Sequence, residues 1–269
     1  MARTPDGPPP PVAVQRLRLR YAKRGRLRFS SHRDFQRAFE RAIRRAGVPM
    51  AYSAGFNPHP KISYAGAAPT GTASEAEYLE IAVVEHCDPD AVRKALDESL
   101  PPGLDVLEVV EARGGSLPDR IAVSVWRVEL PTVTPTDAQV AVDGFLAADS
   151  VPVERVMKDG RRQLDARVPV VSLTVSVSEL DGAPIGSGGH PGSSGGPYAI
   201  LHMVVRHETP SVRPDDVLTG LRQVADLVPP ASEARVTRLA QGLLDDDGQV
   251  ADPLAPDRES VAHPATAPA

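Results

Sequence analysis

The chain has 269 residues, 41% of them hydrophobic and 24% charged, and a formal net charge of −5, values that suit a globular protein of one or two domains. It contains no run of about 18 apolar residues, which excludes a membrane-spanning helix. Cys87 is the only cysteine, which excludes an internal disulfide, a four-cysteine zinc site and a three-cysteine iron–sulfur site.

The opening MARTPDGPPPPV lacks the apolar core of a signal peptide, and a single cysteine agrees with a reducing compartment, so a cytoplasmic location is expected. Residues 1–12 are Pro-rich and read as a mobile tail. VAVQRLRLRYA (12–22) alternates apolar and basic residues, the period-two pattern of a half-buried strand. Lys23-Arg24-Gly25-Arg26 predicts a turn, with Leu27-Arg28-Phe29 running back from it. Residues 32–46 predict a helix, because Phe35, Ala38, Phe39, Ala42, Ile43 and Ala46 recur at helical spacing. Ser31 and Asp34 resemble a capping box, and Gly47 and Pro49 supply the stop. A Pro/Gly-rich segment, 54–73, reads as a long loop; a strand (77–84), a helix (88–99) opened by Asp88-Pro89, and a strand (104–112) follow.

After GGSLP (114–118) the order recurs: a strand at 121–130, a helix at about 136–148, strands at 151–157, 168–178 and 198–206, a helix at about 214–226, and a strand at 234–240. Within this half, 181–197 is rich in glycine and reads as a flexible loop. From Leu243 onward the chain is acidic, then Pro/Ala-rich, and is expected to be disordered. Each half approximates β-α-β-β-α-β, so the expected fold is α+β, with two tandem ferredoxin-like domains of antiparallel sheet at 13–113 and 119–242 between disordered tails at 1–12 and 243–269.

Net acidity hides an asymmetry. Residues 12–62 hold thirteen basic side chains against two acids, Asp34 and Glu40, a balance of +11 that leaves −16 for the rest of a chain totalling −5. On a helical wheel Arg33, Arg37, Arg41 and Arg44 fall within about 80° of one another, opposite Phe35, Phe39 and Ile43. Arg16, Arg18 and Arg20 share one face of the first strand, with Leu17 and Leu19 on the other. Together the two rows predict a basic face. Arginine suits phosphate because its planar fork donates paired hydrogen bonds and stays charged at any relevant pH. RNA is the expected ligand, with an acidic protein partner as the alternative.

Other chemistry finds less support. His32, His59 and Lys61 could supply the base, acid and cation of a metal-independent ribonuclease. No histidine pair has metal-ligand spacing, Cys87 beside His86 forms no dyad, and no Walker or GxGxxG loop is present, so neither a metal nor a cofactor is expected. The start of the first helix, with Ser30, Ser31 and Arg33, offers a phosphate seat unless Asp34 fills it.

The densest stretch is SSHRDF (30–35) followed by AYSAGFNPHPKISYAGAAPTGTASEAEYLEI (51–81). With RYAKRGRLRF before it and GLDVLEVVEARGGSLPDR, RPDDVLTGL and RVTRLAQG after it, the chain closely resembles the radical SAM-linked protein family, over about residues 13–241. Relatives of that family occur fused to the C-terminus of radical SAM proteins, so the resemblance implies a radical SAM enzyme as partner. With one cysteine this chain cannot hold the cluster itself, and any radical chemistry would come from another polypeptide. The expected role is a non-catalytic RNA-binding or substrate-presenting accessory module. Arg16, Arg18, Arg20, Arg33, Arg37, Arg41 and Arg44 would hold the phosphate backbone, and His59, Lys61 and Tyr64 would contact the target. The ribonuclease and the protein-interaction adaptor remain the alternatives.

Overall fold

The structure, a computed structural model, describes residues 10–157, 160–178, 196–225, 227 and 234–259. The chain divides into two compact units, residues 1–121 with 241–269, and residues 122–240.

The first unit runs β1 (Gln15–Lys23), α1 (His32–Arg45), β2 (Ile62–Ala65), β3 (Ala73–Val83), α2 (Pro89–Ser99) and β4 (Leu104–Glu111). Its strands lie in the order β4–β1–β3–β2, and each of these pairings is antiparallel. Period-two alternation decides which side chains go where. Leu17 and Leu19 of β1 and Leu79 and Ile81 of β3 pack with Phe35, Phe39 and Ile43 of α1 and Val92 and Leu96 of α2, so both helices cover one face. The other face carries the alternate residues Arg16, Arg18, Arg20, Ser63, Tyr78 and Glu80, and a smaller cluster there joins Ala65, Ala76 and Tyr78 to Leu117 and Leu254.

Two local expectations need correction. The segment read as a loop over 54–73 contains β2, a four-residue edge strand too short to announce itself by alternation. Residues 25–29 form a 3-10 turn rather than a returning strand, with Leu27 tucked against the helix-side core.

The second unit runs β5 (Val123–Leu130), α3 (Pro135–Ala147), β6 (Pro152–Met157), β7 (Gly160–Asp165), β8 (Val170–Val177), β9 (Ala199–Arg206), α4 (Pro214–Ala225) and β10 (Arg235–Leu244), the last passing into the first unit at residue 241. The order here is β10–β5–β9–β8, and β6 and β7 form a separate hairpin. Val128, Leu130, Leu201 and Met203 pack with Phe145 of α3 and Val217 and Leu221 of α4. The two helices approach closely at Gly220, where an added Cβ would lie 2.8 Å from the Phe145 ring.

After β10 the chain adds β11 (Val250–Ala251), paired with β10, and α5 (Ala255–Glu259). The disordered tail expected from residue 243 is therefore wrong over 243–259. Leu254 and Asp257 are buried and fix this segment onto the first unit without any periodic pattern. Residues 1–9, 181–195 and 260–269, where the mobile tail, the glycine loop and the end of the second tail were expected, lie outside the described residues.

The fold is mixed α+β with antiparallel pairing throughout β4–β1–β3–β2 and across β5–β9–β8. Among the described residues no helix is long and apolar enough to cross a membrane.

Candidate functional site

Helix α1 begins with a full capping box. The Asp34 backbone N–H donates to Ser31 Oγ at 3.2 Å, and the Ser31 backbone N–H donates to the Asp34 carboxylate at 3.3 Å. The Ser31 hydroxyl donates to the same carboxylate at 2.6 Å. These bonds, first from the Ser31 side chain and then from its backbone, hold Asp34 below the usual carboxylate range, with Arg37 and Arg33 adding to the effect. The phosphate seat expected at this helix start is thus filled by the chain's own acid.

Farther along α1, Arg33, Arg37, Arg41 and Arg44 are all exposed. Among the described residues none of the four guanidinium groups donates a hydrogen bond or forms an ion pair, whereas Arg45 reaches the Ser99 carbonyl at 3.0 Å. An exposed cation row of this kind creates a positive surface field.

The β1 row behaves differently, and the single basic face expected from both rows is not built. The β1 arginines lie on the sheet face away from α1, and acids meet them there. Arg18 is 2% exposed, and all three of its guanidinium nitrogens are engaged. Nε donates to Glu80 at 2.9 Å, one Nη to both Asp257 oxygens at 3.0 and 3.1 Å, and the other to the carbonyls of Gly114 and Gly115. It is not available to a phosphate. Arg120 joins the same carboxylate at 2.8 Å, and the Arg113 backbone N–H donates to it at 2.8 Å. Arg20 faces Glu108 at 3.7 Å. Lys23 is also buried, and Arg24 is paired with Glu75 and Asp105. Only Arg16 in this row stays well exposed, with one Nη on Glu80 at 3.1 Å.

Arg16 lines a cleft of about 340 Å³ with Ser53, His59, Lys61, Ser63 and Glu80 as its other polar walls. The loop that delivers His59 is closed on itself. The Ser53 backbone N–H donates to the His59 carbonyl at 2.9 Å, and the His59 backbone N–H donates to Ser53 Oγ at 3.0 Å. Lys61 follows at the entry to β2, where the Ala82 backbone N–H donates to its carbonyl at 3.1 Å. Register puts Ser63 opposite Glu80, and Glu80 opposite Arg18.

Tyr64 does not belong to this cleft. As the neighbour of Ser63 on a strand it points to the helix side, where its ring lies 4.8 Å from that of His32 and 6.0 Å from that of Phe35. Burial, with Glu40 adding to it, pushes its phenol well above the usual range. His32, held between Tyr64 and Gln36, is not among the cleft's lining residues. The base and acid invoked for a ribonuclease, His32 and His59, are therefore not brought to one site.

Among the described residues no group of three or more His, Cys, Asp or Glu side chains could hold a metal ion. Burial and the neighbouring Glu85 push the Cys87 thiol upward, away from a reactive thiolate. Sequence reasoning missed Glu80, Ser53, Arg120 and Asp257. Glu80 had a signal, since it falls on the same alternation as Tyr78. Asp257 had none, lying 239 residues from Arg18.

Fold and site together define an α+β protein of two compact units, the first carrying an unpaired arginine helix and a small cationic cleft. The chain belongs to a family of uncharacterised proteins conserved in bacteria (DUF2344), whose model matches residues 16–214. No curated protein matches it.

Proposed function

We propose that this protein is a non-catalytic, cytoplasmic RNA-binding or substrate-presenting accessory module that serves a radical SAM enzyme on another polypeptide. The observation that carries the RNA reading is the α1 row, four exposed arginines whose guanidinium groups are held in no ion pair among the described residues. The strand order of the first unit, β4–β1–β3–β2, and its counterpart β10–β5–β9–β8 support reading each unit as ferredoxin-like, with β6–β7 inserted in the second. The radical SAM partner rests on the resemblance of residues 13–241 alone, and a single cysteine puts the cluster elsewhere.

The test is a salt series on binding of a labelled single-stranded RNA. Four phosphate contacts predict a slope of log K on log salt near −3, since each contributes about −0.7. Arg37→Glu/Arg41→Glu should flatten that slope and weaken binding at low salt. Binding that is absent at low salt, or unchanged in the double variant, would end the RNA reading. Displacement of bound RNA by an acidic polypeptide, with no RNA found on the protein in cells, would favour the adaptor.

A further inference from the structure

The cleft on the opposite side of the sheet from α1 has a composition that points to a definite ligand chemistry. We propose that it is a site for a terminal phosphate monoester, on a ligand no larger at this point than one nucleotide.

Glu80 brings a negative charge to the cleft, but both of its oxygens are already taken. Oε2 accepts from Arg18 at 2.9 Å and Oε1 from Arg16 at 3.1 Å. The carboxylate therefore orients Arg16 instead of repelling the ligand. Arg18 is itself fixed by the buried Asp257, so the orienting chain Asp257–Arg18–Glu80–Arg16 is rigid at its inner end. One Nη of Arg16 is spent on Glu80, and its remaining N–H groups have no partner among the described residues. Of the charged residues that line the cleft, Arg16 and Lys61 are two cations against the one acid Glu80, whose oxygens both accept from arginines.

A monoester phosphate carries close to two negative charges at neutral pH and offers three terminal oxygens. Among the residues that line the cleft, Arg16 can supply a guanidinium fork, Lys61 an ammonium and Ser63 a hydroxyl, beside His59 and Ser53. An internal phosphodiester has one charge and two free oxygens and fits this set less well. The volume, about 340 Å³, lies at the small end of ligand sites and suits one nucleotide rather than a long polymer. The phosphate site stands on the cleft alone; that its ligand is the end of an RNA rests on the proposed function.

The test uses the full chain. AMP and adenosine are compared by calorimetry, and RNA decamers bearing a 5′-phosphate, a 3′-phosphate or neither are compared by anisotropy. The expected result is that AMP binds and adenosine does not, or that one phosphorylated decamer binds at least about 10-fold tighter than the unmodified one. Lys61→Ala, and Lys61→Gln as a second variant, should erase that preference, whereas Lys94→Ala on α2 should keep it. AMP binding without any RNA preference would uphold the site and remove RNA as its source. The proposal is overturned if phosphate brings no preference in either series, or if the preference survives both Lys61 variants.

Discussion

In the interior, Glu80, Asp257 and two glycine carbonyls surround the Arg18 guanidinium. Arg37, in the same basic segment of the sequence, stands in solvent with no such partner. Removing one member of a buried ion pair leaves the other charge without compensation, at a cost of several kcal/mol, while an exposed charge contributes little. Asp257→Ala should therefore destabilise the protein by roughly 3–5 kcal/mol, and Arg37→Ala by less than about 0.5 kcal/mol, as read from urea unfolding. Equal effects would show that Asp257 is not the anchor described. The sequence makes the alternation of β1 plain but cannot tell an arginine that meets solvent from one that meets an acid. The distinction depends on a carboxylate from the far end of the chain, which carries no local signal. Tyr64 illustrates a related limit. Its place in a polar, glycine-flanked segment suggests a contact residue, and only the register of β2 on β3 reveals that it faces the helices.

Helix α1 was legible almost whole, since its apolar spacing, capping box and terminal glycine all agree. Ser31→Ala should cost about 1 kcal/mol through loss of the cap. The cap also sets a pH dependence. Asp34 has a folded-state value below its ordinary one, so its contribution is fully present above the ordinary carboxylate range and is lost as pH falls through the depressed value. Asp34→Asn should consequently lose less stability than wild type between about pH 5 and about pH 2, in parallel thermal melts. A larger loss in the variant would contradict the sign. Elements β2, β7 and α5 were not legible. β2 has four residues inside a Pro/Gly-rich stretch, β7 opens with four exposed residues, Gly-Arg-Arg-Gln, and α5 is five residues held by Leu254 and Asp257. Truncation after Gln249 should uncover the Ala65, Tyr78 and Leu117 cluster and strip Arg18 and Arg120 of their shared acid. A lower melting temperature with increased binding of a hydrophobic dye is the expected outcome, and an unchanged melt would mean that α5 contributes nothing to the first unit.

Across the whole chain, charge is segregated by position: +11 within residues 12–62 against −16 elsewhere. The folded protein spends part of that excess internally, on Glu75, Glu80, Asp105, Glu108 and Asp257, and leaves the α1 row exposed and the cleft cationic. The longer strands and helices of both units could be read from periodicity, because long alternating or helical segments announce themselves. The division of the chain could not. Its last described residues belong to the first unit, which they rejoin after all of the second has been laid down. The proposed function rests above all on the α1 arginines holding RNA. The most direct measurement is crosslinking to RNA in cells, followed by sequencing, with wild type compared against Arg37→Glu/Arg41→Glu at matched abundance. The account predicts a defined class of RNA on the wild-type protein that disappears from the double variant. Crosslinking no higher than background in wild type, or the same RNA recovered with both proteins, would contradict it.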